Sequence, residues 1–177
     1  MKKLLPIVAI LALTTACSSN KPEPNTPTAS GESAHQLTPS QQDAIAQAQE
    51  HTGGGLTFDD EILRLCPGIK APKFAYDSAV VKAQFREALV GLAACMKDGG
   101  LKDRNLLLVG HADPRGEEDY NLALGGRRAN SVRDAMRELG VTSGRFQLTS
   151  RGDLDAKGTD EATWAEDRRV DVKLASR

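Results

Sequence analysis

Four apolar residues in a row, Leu106-Leu107-Leu108-Val109, run straight into Gly110-His111-Ala112-Asp113-Pro114-Arg115-Gly116. Strict alternation would mark a strand wetted on one face. An unbroken run marks a strand covered on both, so this segment is expected at the centre of a sheet. The glycines and the proline that follow signal a tight turn. A helix pattern then runs from about Asp119 to Leu139, with Leu122, Ala129, Val132, Met136 and Leu139 on one stripe and Gly140 as the stop. The turn sets Asp113 at the strand end, and Arg128 follows fifteen residues later on the helix. A carboxylate only accepts hydrogen bonds, whereas a guanidinium fork grips a carboxylate through two parallel bonds. The unpaired backbone N–H groups of a helix start favour anions further. Such a pair suits the two charges of a zwitterion; a plain salt bridge between Asp113 and Arg128 is the simpler alternative.

The rest of the domain is read around this unit. Lys73 to Tyr76 is a short strand candidate, and Asp77 or Ser78 is placed to cap a helix running to about Met96. Its apolar positions Val81, Phe85, Ala88, Leu89, Leu92 and Cys95 recur at helical spacing, and Gly99-Gly100 ends it. Arg145 to Ser150 forms a further strand. Arg169 to Leu174 alternates Val170, Val172 and Leu174 with charges, which predicts a half-exposed strand. The order β-α-β-α-β-β predicts an α+β fold, a two-layer sandwich with two main helices on one face of a small mixed sheet. The domain is expected to occupy residues 56–177.

Ahead of it the composition changes sharply. Lys2 and Lys3 precede an apolar run, Leu4 to Leu13, broken only by Pro6, and then Thr14, Thr15, Ala16 and Cys17. Residues 1–16 therefore read as a cleaved secretory signal peptide. The run is shorter than the roughly 20 residues a membrane-spanning helix needs. Residues 18–40 are rich in Ser, Asn, Thr and Pro and hold almost no apolar side chain, so they cannot build a core. They read as a tether reaching at most ~60–70 Å in the polyproline regime. Ser40 to Glu50 has the pattern of a short helix, capped by Ser40 and ended by Gly53-Gly54-Gly55, so residues 17–55 are assigned to the linker.

Charge divides the same way. The full chain carries −1, distributed as +2 on residues 1–16, −3 on 17–52 and 0 on 53–177. A neutral domain gives no support for nonspecific nucleic-acid binding, and no nucleic-acid partner is expected. Three cysteines are present. With Cys17 set apart at the signal cut, Cys66 and Cys95 are left as a pair in an oxidising compartment, either bridged or as two core thiols. Of His35, His51 and His111 only the last lies in the expected domain, with no second ligand at metal spacing and no Ser-His-acid or Cys-His arrangement. No catalytic activity, metal or cofactor is expected.

Phe74-Ala75-Tyr76-Asp77, the Gly110–Gly116 turn, Tyr120-Asn121-Leu122-Ala123-Leu124-Gly125-Gly126-Arg127-Arg128-Ala129 and Arg168-Arg169-Val170 occur in that order. This set resembles the OmpA-like domain family over about residues 72–174. The signal, tether and domain together resemble the layout of the peptidoglycan-associated lipoproteins, a branch of that family. The resemblance implies noncatalytic binding of peptidoglycan through its diaminopimelate, with Asp113 and Arg128 as the principal residues. Secondary positions fall on Asp77, Asn121 and Arg168. For these the residues alone leave other roles open: Asp77 as a helix cap, Asn121 as an organiser of the turn, Arg168 as a solvated strand charge.

Cys17 directly after Ala16 resembles a bacterial lipobox, with Thr14 in place of the usual Leu. It implies acylation at Cys17, and Ser18 in the next position implies an outer-membrane destination with the domain in the periplasm. A periplasmic TolB-like propeller is the protein partner that the branch implies. The chain departs from the family in having Asp167 where Asn is usual, Arg151-Gly152 where Tyr-Gly is frequent, and no proline in Asp153 to Ala156. Asp167 is expected to compete for Arg168.

Overall fold

The apolar run does form one of the two inner strands of a four-stranded sheet. A computed structural model describes residues 36–53, 55–72 and 78–176, all within one unit, Gln36–Arg177. The signal, Cys17, the tether up to residue 35, the Lys73 to Tyr76 strand and Asp77 lie outside the described residues. The elements are α1 (Pro39–Thr52), β1 (Gly55–Phe58), α2 (Asp60–Leu65), α3 (Ser78–Asp98), β2 (Leu106–His111), α4 (Glu118–Glu138), β3 (Phe146–Gly152), α5 (Glu161–Asp167) and β4 (Arg169–Leu174). The sheet order is β1-β4-β2-β3. The β2–β4 pair is antiparallel and the two outer pairs are parallel, so the sheet is mixed, as expected for this α+β fold.

Register decides which side chains face the helices. Gly110 lies opposite Val170, Leu108 opposite Val172 and Leu106 opposite Leu174. Phe146 and Leu148 on β3, and Leu56 on β1, fall on the same face by the two-residue period. This face meets Ala129, Val132 and Met136 of α4 and Phe85, Leu89 and Leu92 of α3 in one core. The opposite face carries Leu107, Val109 and His111 between Arg169, Asp171 and Lys173.

One contact sets how close α4 comes to the sheet. A Cβ at Gly125 would run into the Ser150 hydroxyl and lie 2.7 Å from the Gly110 carbonyl oxygen, and a Cβ at Gly110 would overlap the Gly125 carbonyl. Helix backbone and strand backbone touch there because both residues are glycine. The buried face of α4 is Asn121, Gly125, Arg128, Ala129, Val132, Ala135 and Met136. The stripe read from the sequence began on Leu122; in the structure it begins on Asn121. The first turns of α4 bury polar and glycine positions over the strand end, which an apolar stripe does not register.

Further expectations need correction. The compact unit begins at Gln36, not near Leu56. Helix α1 packs on the domain, burying Ile45 and Ala48, and Gln41 Nε2 donates to the Glu138 carbonyl at 3.1 Å. Two buried residues among glutamines make too thin a stripe to read as core. The helix is capped by Thr38 rather than Ser40, in a capping box with Gln41, and Pro39 takes the first position. Gly53 stops it at φ +64°, but Gly55 already belongs to β1, an unforeseen strand parallel to β4. Finally, α5 intervenes between β3 and β4, capped by Asp160 with Thr163; seven residues are too short a window for periodicity to speak.

Cys66, at the end of α2, and Cys95, in α3, form a disulfide with a Cα–Cα distance of 5.9 Å. Reduction is expected to lower stability by roughly 3–4 kcal/mol, because it frees a loop of about 30 residues in the unfolded chain. Urea unfolding with and without reductant measures this. Gly125→Ala is expected to cost ~1–3 kcal/mol by overpacking, more than the roughly 0.5–1 kcal/mol of helix propensity that alanine returns. An unchanged urea midpoint for that variant would contradict the close approach of α4 and β2.

Candidate functional site

The strand end and the turn are fixed before any charge is considered. The backbone N–H of Ala112 donates to the Gly152 carbonyl at 2.7 Å, tying the turn to β3. Gly152 has φ +52°, and a Cβ there would sit 2.9 Å from the Leu122 nitrogen, so the glycine of Arg151-Gly152 is required, while Arg151 pairs with Asp155 on the surface. Asn121, 1% exposed, donates through Nδ2 to the Arg115 carbonyl at 3.2 Å and to Asp153 Oδ2 at 3.1 Å. Its side chain therefore shapes the turn from inside.

Asp113 projects from this turn and is almost fully buried. Oδ1 accepts from the Arg115 backbone N–H at 3.2 Å and from Arg115 Nε at 3.0 Å. Oδ2 accepts from Arg115 Nη2 at 2.9 Å and from Arg168 Nη1 at 3.1 Å. The Arg115 hydrogen bonds, followed by those of Arg168, outweigh burial and hold the carboxyl down at about 2 against the ordinary 3.8. Glu161 of α5 braces both cations, 2.7 Å from Arg168 Nη2 and 3.4 Å from Arg115 Nη1. The Arg115 guanidinium also lies over the Trp164 ring, 4.2 Å from its centroid.

Arg128 is held differently. It is 5% exposed, and its Nε donates to the His51 carbonyl at 2.7 Å and its Nη1 to the His111 carbonyl at 2.8 Å. Among the described residues Nη2 makes no hydrogen bond. Burial pushes its pKa down and the charge of Asp113 pushes it back up. Among the described residues no ion pair joins Asp113 to Arg128, so the plain salt bridge is not what the two side chains form. Among the described residues three guanidinium groups, Arg115, Arg128 and Arg168, face two carboxylates, Asp113 and Glu161, and the cation without a carboxylate partner there is the buried one.

The structure thus brings Asp113, Arg128, Asn121 and Arg168 to one end of β2, while Asp77 lies outside the described residues. Arg168 is bonded to Asp113 rather than solvated. Asp167 does not compete for it: buried at 4% exposure, Asp167 accepts from the backbone N–H groups of Lys157, at 3.1 Å, and Gly158, at 2.8 Å. A loop that turns two donors inward claims the carboxylate first. Arg115, Glu161, Trp164 and the His51 carbonyl were not picked out from the sequence. Arg115 stands inside the turn motif, but beyond Asp113 its partners, Glu161 and Trp164, come from α5, and the carbonyl that meets Arg128 comes from α1.

The His111 ring points away from this cluster. Its Nε2 lies 3.0 Å from Asp171 Oδ2 and its Nδ1 3.7 Å from Asp155 Oδ2, and only its carbonyl serves Arg128. Burial alone would raise the Asp171 carboxyl; hydrogen bonds from His111 and Thr57 and the charge of Arg169 hold it below the usual range. Among the described residues no group of three or more His, Cys, Asp or Glu side chains is placed to hold a metal ion.

Residues 73–170 match the OmpA family, taking in the turn, α4 and Arg168. The chain belongs to the OmpA family. It is 39% identical over 102 residues to the peptidoglycan-associated lipoprotein of Pseudomonas aeruginosa, covering 56% of this chain and 59% of that one. It is 31% identical over 171 residues to the peptidoglycan-associated lipoprotein of Rhizobium meliloti, covering 93% of this chain and 85% of that one. Among solved structures, the peptidoglycan-associated lipoprotein from Burkholderia pseudomallei aligns with 34% identity and a TM-score of 0.48, over 58% of this chain and 83% of that one. The chain spans 56–60% of the length of the first three curated relatives it matches.

The carboxyl of Asp113 gives this OmpA-family site a definite acid response. A group whose folded pKa is depressed stabilises the fold fully above its unfolded value, and that contribution is lost as pH falls through the folded value. For Asp113 the window runs from 3.8 down to about 2. Asp113→Asn is expected to flatten the stability profile in that window and leave its shape above about pH 5 unchanged. Circular dichroism during acid titration compares the two proteins, and superimposable slopes below pH 4 would contradict the ion cluster.

Proposed function

We propose that this OmpA-family chain is a noncatalytic anchor that joins the outer membrane to the cell wall. One end is a lipid on Cys17; the other is the Asp113–Arg128 site, which binds the diaminopimelate of a peptidoglycan stem. The observation that carries the reading is a cation with no carboxylate partner among the described residues. Arg128 is buried, charged and oriented by two backbone carbonyls, and among those residues nothing accepts from its Nη2. A ligand carboxylate supplies what that arrangement lacks.

The ligand ammonium then falls to Asp113, which stays ionised at every physiological pH. Its oxygens are occupied by Arg115 and Arg168 in the free site. Arg115 is half exposed, so its side chain is the one that yields to the ammonium, while Arg168, braced by Glu161, stays. Asn121 keeps the turn rigid through Arg115 and Asp153. None of these roles makes or breaks a covalent bond, and the names of the relatives, peptidoglycan-associated lipoproteins, agree with binding rather than turnover. The tether between the two ends lets both engage at once, so attachment is far tighter than either end gives alone.

Asp113→Ala and Arg128→Ala are each expected to weaken binding to purified sacculi by about 2–5 kcal/mol, because each leaves the opposite ligand charge desolvated and unpaired. Retention of the double variant at the parental level in a sacculus pull-down would sink the reading. A stem peptide with lysine in place of diaminopimelate lacks the side-chain carboxylate, so it is expected to bind little better to the parent than to Arg128→Ala.

A further inference from the structure

Helix α1 ends with carbonyls that have no partner inside the helix, as every helix does. The turn back at Gly53 returns its N–H to Gln49 and Glu50, and the His51 carbonyl is met by Arg128 Nε at 2.7 Å. Arg128 is therefore two things at once. It is the cation at the negative end of α1, and it is the buried cation of the wall-binding site. The other acceptor that orients it, the His111 carbonyl, holds only Nη1. A guanidinium fixed at Nε and Nη1 presents Nη2 in one direction; fixed at Nη1 alone, it can pivot.

The grip of α1 on the domain runs mainly along α4. Ile45 and Ala48 are its buried apolar residues, and Gln41 ties its first turn to the end of α4. Its remaining positions are largely glutamine and other polar residues. Most of the core lies between the sheet, α3 and α4, so a change in the α1 seam acts first on the docking of α1 itself.

We infer that α1 is a working part of the binding site: its docking, through the His51 carbonyl, positions Arg128 for the ligand carboxylate. This rests on the wall-binding reading above. By linkage, ligand at Arg128 must tighten the docking of α1 by the same factor that docking tightens the ligand. His51 is a positioning residue acting through its backbone, so its side chain is dispensable and α1 itself is what must be perturbed.

The test uses the full chain in detergent and the tripeptide L-Ala-γ-D-Glu-meso-diaminopimelate as probe. Ile45→Asp puts a charge into the α1 seam far along the helix from His51 and is expected to weaken tripeptide binding about five- to twentyfold by calorimetry. Gly53→Ala strains the left-handed residue that closes α1, where Arg168 Cβ at 3.7 Å leaves room for the methyl group. That variant is expected to lose roughly two- to fivefold, and it decides the matter if Ile45→Asp does not fold. In the parent, saturating tripeptide should slow amide exchange in the last two turns of α1 and leave the middle of α3 unchanged. A purely structural role for α1 would not produce ligand-dependent protection. Parental affinity in both variants, with no change in α1 exchange, overturns the inference and leaves the wall-binding reading standing. No tripeptide binding by the parent overturns both.

Discussion

Everything in the site depends on two backbones touching at Gly110 and Gly125. A helix normally stands off a sheet by the width of its side chains. Here α4 drops onto β2 over one residue from each, and the ends of both elements converge just beyond. Asp113 leaves the strand three residues after Gly110, and Arg128 leaves the helix three residues after Gly125. The fifteen-residue separation seen in the sequence becomes proximity because that contact acts as a pivot. The Ser150 hydroxyl fills the remaining space beside it, so β3 is drawn into the same arrangement.

The two charged groups are then treated in opposite ways. Asp113 is saturated with donors from Arg115 and Arg168. Among the described residues Arg128 is given neutral acceptors, two carbonyls from separate elements. Carbonyls orient a guanidinium and offset part of its lost hydration without cancelling its charge. The result, among the described residues, is a buried positive charge beside a neutralised negative one. Trp164 and Glu161 on α5 take part at one remove, by holding the two arginines that hold Asp113.

The sequence was informative where chemistry is local. The apolar run marked an inner strand, and the turn motif and the Gly125-Gly126-Arg127-Arg128 pattern pointed to two residues that lie at one end of it. The overall mixed sheet followed from β2, β3, β4 and the two long helices. Reading failed where the signal lay in smallness or distance. Ile45 and Ala48 are enough to seat α1 because alanine lets the helix come close, yet they are too few to register as an amphipathic stripe. Gly55 looked like part of a breaker run and is the first residue of a strand. Asp167 looked like a rival for Arg168, its chain neighbour, until the Lys157–Gly158 loop was seen to fold back onto it. Arg115, Glu161 and Trp164 meet only in three dimensions, and no spacing rule brings residues 46 positions apart together.

The disulfide has a bearing on damage as well as on folding. Cys66 and Cys95 close a covalent ring, and the Phe74-Ala75-Tyr76-Asp77 segment lies on it. A protease that cuts the chain once anywhere between the two cysteines severs the backbone without releasing a fragment. The piece carrying α1, β1 and α2 stays bonded to the piece carrying α3, α4 and Arg128. A single nick in the envelope therefore leaves the N-terminal part of the chain covalently attached to the part that carries Asp113 and Arg128.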